Sequence, residues 1–120
     1  MLTVYVYQKC CTCRNALKWL ADHEIAHTTK AIRETPPTSA ELRTALALIG
    51  GDLKKLFNTS GEDYRTLGLK DQLSNLTDSE ALELLATNGN LVKRPFLIGD
   101  GIALTGFKPA VWENALRDSR

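Results

Sequence analysis

Three cysteines stand within four residues, Cys10-Cys11-Thr12-Cys13, and the first and last have the spacing of a thiol pair able to form and break a disulfide. Such a pair gains its chemistry from a helix that starts beside it. A helix N-terminus presents unpaired N–H groups and a partial positive charge, which favour a thiolate and so lower the pKa of the leading cysteine. Cys10 is therefore the candidate nucleophile. Cys13, three positions on, is the candidate resolving thiol that attacks a mixed disulfide on Cys10 and releases the product. Lys9 and Arg14 add positive charge nearby, favouring the thiolate if their side chains turn toward the sulfur. Two other readings stay open. Cysteines also serve as small apolar core residues, and Cys-x-x-Cys with His23 or His27 nominally supplies four zinc ligands, although no second Cys-x-x-Cys or His-x-x-x-His knuckle accompanies it. Cys11 receives no role, and His23 and His27 read as ordinary surface residues.

The elements around the cysteines fit a redox site. Residues 2–7, Leu-Thr-Val-Tyr-Val-Tyr, read as a short buried strand, and Ala16, Leu17, Leu20 and Ala21 recur at helical spacing through about residue 23. A second, polar strand is expected over 26–32. Pro36-Pro37 interrupts the chain, and Thr38 with Glu41 forms a capping-box signal for a helix ended by Gly50-Gly51. A short helix comes next at 53–57, then a polar loop at 58–61. Thr77 with Glu80 repeats the capping box ahead of a helix stopped by Asn88-Gly89. Phe96-Leu97-Ile98 and Ile102-Ala103-Leu104 flank Gly99-Asp100-Gly101 as a hairpin, and Pro109 opens a last helix.

The order βαβ, helices, ββα predicts an α/β chain with a mixed four-stranded sheet, thioredoxin-like or glutaredoxin-like, as one domain over 1–120 with a helical insertion at about 35–88. In such a domain Arg94-Pro95, just before the third strand, is a cis-proline candidate that would bring Arg94 beside Cys10; the alternative is a surface arginine before a strand-initiating proline. Arg94 could then hold an oxyanion or carboxylate through two parallel hydrogen bonds, with Lys93 and Lys108 adding to the field.

Fifteen basic and fourteen acidic side chains leave a net charge of +1, which gives no general attraction to nucleic acid or membrane. The ends are mildly basic and the middle mildly acidic. Residues 2–7 come after Met1 with no basic segment and too short an apolar run for a leader or a span, so a cytoplasmic location is expected. There thiols are kept reduced, and clustered cysteines read as chemistry and not as staples.

These landmarks together resemble the arsenate reductase (ArsC) family, which also includes the Spx regulators and a branch of small reductase-like proteins. The resemblance is carried by Cys10-Cys11-Thr12-Cys13-Arg14-Asn15, Phe57-Asn58-Thr59-Ser60-Gly61 with Tyr64 and Leu67-Gly68-Leu69, Lys93-Arg94-Pro95, and Gly106-Phe107-Lys108-Pro109. It implies a thioredoxin-like sheet with a helical insertion and, from the Phe57–Gly61 stretch, placement in the reductase-like branch. In glutathione-dependent arsenate reductases a cysteine at the position of Cys10 works with three arginines. Arg94 matches one; the second falls at or beside Asn58 and the third at Lys108, so Asn58, Arg94 and Lys108 are the anion-binding candidates. A lysine gives a point charge without the guanidinium fork and an asparagine gives none, which implies a weakened site for arsenate. No bound cofactor or metal is expected; glutathione or thioredoxin is the implied electron donor, and the substrate a small thiol, an oxyanion or a protein disulfide. The resemblance to Spx implies the alternative of a redox switch at Cys10 and Cys13 that controls binding to the RNA polymerase α subunit.

Overall fold

The computed structural model describes residues 2–117. Strand β1 (Leu2–Val6) leads into helix α1 (Cys11–Asp22) and strand β2 (His27–Ala31). Helices α2 (Ser39–Leu48), α3 (Glu62–Thr66), α4 (Leu69–Gln72) and α5 (Asp78–Thr87) come next, with a 3-10 turn at Leu53–Leu56. Strands β3 (Phe96–Gly99) and β4 (Ile102–Thr105) and helix α6 (Pro109–Leu116) complete the chain. The sheet order is β2-β1-β3-β4, with β1 parallel to β2 and antiparallel to β3, and β3 antiparallel to β4. A parallel neighbour requires a crossover, and α1 provides it. This is the mixed thioredoxin-like sheet expected from the sequence.

Side chains alternate across the two central strands and so divide the core in two. Leu2, Val4, Val6 and Leu97 point to the side covered by α1 and α6, where they meet Cys13, Ala16, Leu20, Trp112 and Leu116. Tyr5, Phe96 and Ile98 point to the other side, against Leu42, Phe57, Leu82 and Leu85 of the inserted segment. Strand β2 lies at the sheet edge and is largely exposed, which accounts for its Thr28-Thr29-Lys30.

Both capping boxes form. The Thr38 and Thr77 hydroxyls accept the N–H groups of Glu41 and Glu80, whose carboxylates accept the threonine N–H groups in return. Glu41 Oε1 also accepts a 2.6 Å hydrogen bond from the Tyr5 hydroxyl, fastening the start of α2 to β1. Helices α3 and α4 have no clear signal in the sequence, because four- and five-residue helices are too short to show a periodic face. Gly89, just after α5, packs so tightly on the end of β2 that a Cβ there would run into the Ile32 carbonyl and crowd the Arg33 Cα. Among the described residues no helix is long and apolar enough to cross a membrane.

Candidate active site

Cys10 caps α1. Its backbone is extended (φ −94°, ψ 117°), its N–H donates to the Tyr7 carbonyl at 3.0 Å, and its carbonyl accepts the Arg14 N–H at 3.1 Å. The sulfur takes the place that a serine or aspartate oxygen occupies in an ordinary cap, accepting the Cys13 N–H at 3.4 Å. Cys10 is half-buried, Cys11 exposed and Cys13 buried, and all three are free thiols.

The two paired sulfurs are driven in opposite directions. Burial pushes Cys10 up, but the Cys13 N–H and thiol, the Arg94 charge and the Thr12 N–H together outweigh it and hold Cys10 below the ordinary thiol range. Cys13 is pushed far up, chiefly by burial; the Tyr7 N–H and Arg94 act against that, and Cys10 adds to it. One thiolate beside one neutral thiol is the charge state that a nucleophile and a resolving partner require.

Arg94 reaches this pair from the other end of the fold. The Arg94–Pro95 peptide is cis, and the Pro95 carbonyl accepts the Gly106 N–H at 2.9 Å. The Arg94 guanidinium carbon lies 4.9 Å from the centre of the Tyr7 ring, and its Nη1 is buried with no hydrogen-bond partner. Unpaired buried guanidinium nitrogens are costly in a finished structure and useful in one that awaits an acceptor.

The remaining sequence candidates make the following contacts. Asn58 is tied into its own loop: its N–H donates to the Leu91 carbonyl at 2.7 Å, its carbonyl accepts the Gly61 N–H at 3.0 Å, and its side chain lies against Gly61. Among the described residues no hydrogen bond joins it to Arg94 or Cys10. Lys108 is exposed at the N-cap of α6 and lines a cleft of about 410 Å³ with Lys55, Lys93, Leu48 and Val111, a cleft that neither Cys10 nor Arg94 lines. Arg14 turns to Cys11 and not to Cys10, donating from Nη2 to the Cys11 sulfur at 3.1 Å. His23 stacks on Trp19 and meets Glu113 at 3.5 Å, and His27 bonds the Ile25 carbonyl through Nδ1. Among the described residues no group of three or more His, Cys, Asp or Glu side chains is arranged to hold a metal ion.

Two residues of the site were missed in the sequence. Tyr7 lies at the centre of it: its carbonyl accepts the Cys10 N–H, its ring contacts Arg94, and its hydroxyl accepts a 3.0 Å hydrogen bond from Nη1 of Arg33. Strand parity carried a signal for Tyr7, since it comes after Val6 and so belongs to the face opposite the α1 side. Nothing local marks Arg33.

The comparisons with known proteins bear on the family and the fold. Residues 5–115 match the model of the ArsC family. YusI of Bacillus subtilis, an uncharacterized protein, is 49% identical over 113 residues, covering 93% of this chain and 95% of its own. The global transcriptional regulator Spx of Enterococcus faecalis is 30% identical, covering 89% of this chain and 80% of its own. Among solved structures, a possible arsenate reductase from Streptococcus mutans superposes with a TM-score of 0.85 at 45% identity, covering 90% of this chain and 92% of that one. Arsenate reductase from Vibrio cholerae gives a TM-score of 0.78 at 26% identity, covering 97% and 95%. Matched by the family model over nearly all of its length, and sharing its whole fold with these proteins, the chain belongs to the ArsC family.

Proposed function

We propose that the chain is a cytoplasmic thiol-disulfide oxidoreductase in which Cys10 attacks, Arg94 orients the substrate and Cys13 resolves. The observation that carries this reading is the cap itself, where the Cys13 N–H and thiol and the Arg94 charge converge on the Cys10 sulfur. The Cys10 thiolate attacks one sulfur of a substrate disulfide, that S–S bond breaks, and one half departs as a thiolate. Cys10, now in a mixed disulfide, no longer carries the charge that helped to keep Cys13 protonated. Cys13 gives its proton to the departing thiolate or to solvent and attacks the Cys10 sulfur, and the second half leaves. The substrate gains two electrons and the chain is left with a Cys10–Cys13 disulfide. Glutathione or thioredoxin returns the two electrons, and no bound cofactor is needed. An oxyanion substrate would use Arg94 in the same way, with Lys108 and Asn58 contributing little. Replacing Cys10 by serine should abolish turnover of a panel of mixed disulfides; undiminished turnover by Cys10→Ser would falsify the proposal.

A second reading is favoured by the likeness to Spx. Here the same Cys10–Cys13 disulfide switches a binding surface for the RNA polymerase α subunit and no substrate is turned over. Capture from lysate by the reduced and the oxidised chain separates the two, and failure to retain RNA polymerase in either state sinks the regulator reading.

A further inference from the structure

Two guanidinium groups share one tyrosine. The Arg33 guanidinium carbon lies 5.0 Å from the Tyr7 ring centre and that of Arg94 lies 4.9 Å from it, so their separation cannot exceed the sum of those distances. The tyrosine ring faces both charges with its quadrupole. A protein ordinarily settles such a pair with a carboxylate, yet among the described residues neither arginine has an ion-pair partner. Glu34, next along the chain, makes no ion pair with either of them. Arg94 Nη1 is buried and unbonded, whereas Arg33 is exposed and uses only Nη1, on the Tyr7 hydroxyl, leaving the rest of its fork open to solvent. Arg94 thus faces the Cys10 thiolate from a half-buried position with one nitrogen unbonded, and Arg33 stands exposed on the same ring; among the described residues neither is paired with a carboxylate.

We propose that Arg33 is a second anion-binding residue of the Cys10 site, positioned by Tyr7, and that the substrate is a disulfide bearing two separate anionic groups, one for Arg94 and one for Arg33. This rests on the thiol-disulfide reading above and adds the substrate class to it. The chemistry is unchanged: Cys10 attacks, the substrate S–S bond breaks, and Cys13 displaces the second half, with the two anionic groups serving to place the sulfur. A solvated lysine cannot substitute fully for Arg33, because the Tyr7 contact uses one edge of a planar fork while the other edge faces the ligand.

The test compares two chromogenic disulfides, the dianionic 5,5′-dithiobis(2-nitrobenzoate) and the neutral 4,4′-dithiodipyridine, reacted in stopped flow with the reduced protein. All variants carry Cys11→Ser, because that exposed thiol reacts with both probes. The quantity read is the ratio of the dianionic to the neutral rate constant. Arg33→Ala should lower the ratio by about tenfold, the loss of one charge-assisted contact. Tyr7→Phe, which keeps the ring and removes only the hydroxyl, should lower it by about threefold, and Arg33→Lys should restore part of the loss. Lys18→Ala removes an exposed charge of α1 that pairs with Asp22 and should leave the ratio in place. An unchanged ratio in Arg33→Ala, or an equal fall in Lys18→Ala, overturns the assignment of Arg33. If instead Cys10→Ser reacts with both probes as fast as its parent, the underlying thiol reading is what has failed.

Discussion

Two concentrations of positive charge among the described residues are built differently. Around Tyr7, Arg33 and Arg94 are fixed by an aromatic ring and a hydroxyl, and Arg94 is partly buried beside the Cys10 sulfur. In the cleft by α6, Lys55, Lys93 and Lys108 surround exposed apolar side chains, Leu48 at 46% and Val111 at 50% exposure. Flexible ammonium groups in water interact weakly with any one partner, because solvent screens them and they lose rotamer freedom on binding. Planar guanidinium groups already held in place lose less. Proximity to the thiolate and immobility, not the number of charges, should therefore decide which cluster acts in the reaction.

The largest effect expected from breaking the first cluster is that of Arg94→Ala. It removes a charge that lowers the Cys10 pKa, so the thiolate should form at higher pH than in the parent. The rate of alkylation by iodoacetamide, measured against pH, should show its acid limb displaced upward, and reaction with an anionic disulfide near pH 7 should fall by about tenfold or more. An unmoved limb would mean that the cap alone sets the Cys10 ionisation. Gly89→Ala comes next. A side chain there must displace the Ile32 carbonyl and the Arg33 backbone, and about 2 kcal/mol of stability should be lost, measurable by urea unfolding. Its preference for the dianionic disulfide should weaken in parallel, since Arg33 moves. The smallest effect belongs to the second cluster: Lys108→Ala should change the reaction with anionic disulfides by no more than about twofold. A loss matching that of Arg94→Ala would erase the distinction between the clusters.

How much of the molecule was legible in its sequence depends on how far each signal reaches along the chain. Cys10 and Cys13 declare themselves, because a strand, two cysteines and an amphipathic helix are contiguous. Arg94 is marked by the proline beside it and the strand after it. The capping threonines and the hairpin are local in the same sense. Asn58 entered through likeness to the family and Lys108 through its charge as well as that likeness, and neither signal fixes a contact; the structure ties Asn58 into its loop and sets Lys108 in the cleft by α6. Tyr7 and Arg33 stayed hidden because a ring-to-guanidinium contact between residues 26 apart leaves no pattern in a linear sequence. Arg14 shows the limit even at short range. It is close to Cys10 in sequence, but one helical turn carries it to Cys11.

The seat of Gly89 on Ile32 and Arg33 gives the inserted helices a further property. The chain leaves the sheet just after Ile32 and returns to the same spot at Gly89, so the segment between is a closed excursion with its ends clasped together. Adding residues at its exposed turns costs little in loop closure, which depends only weakly on the number of residues enclosed, whereas its apolar face is fixed by the sheet it covers. Change at those turns leaves the Cys10 and Cys13 sulfurs, on the opposite side of the sheet, in place.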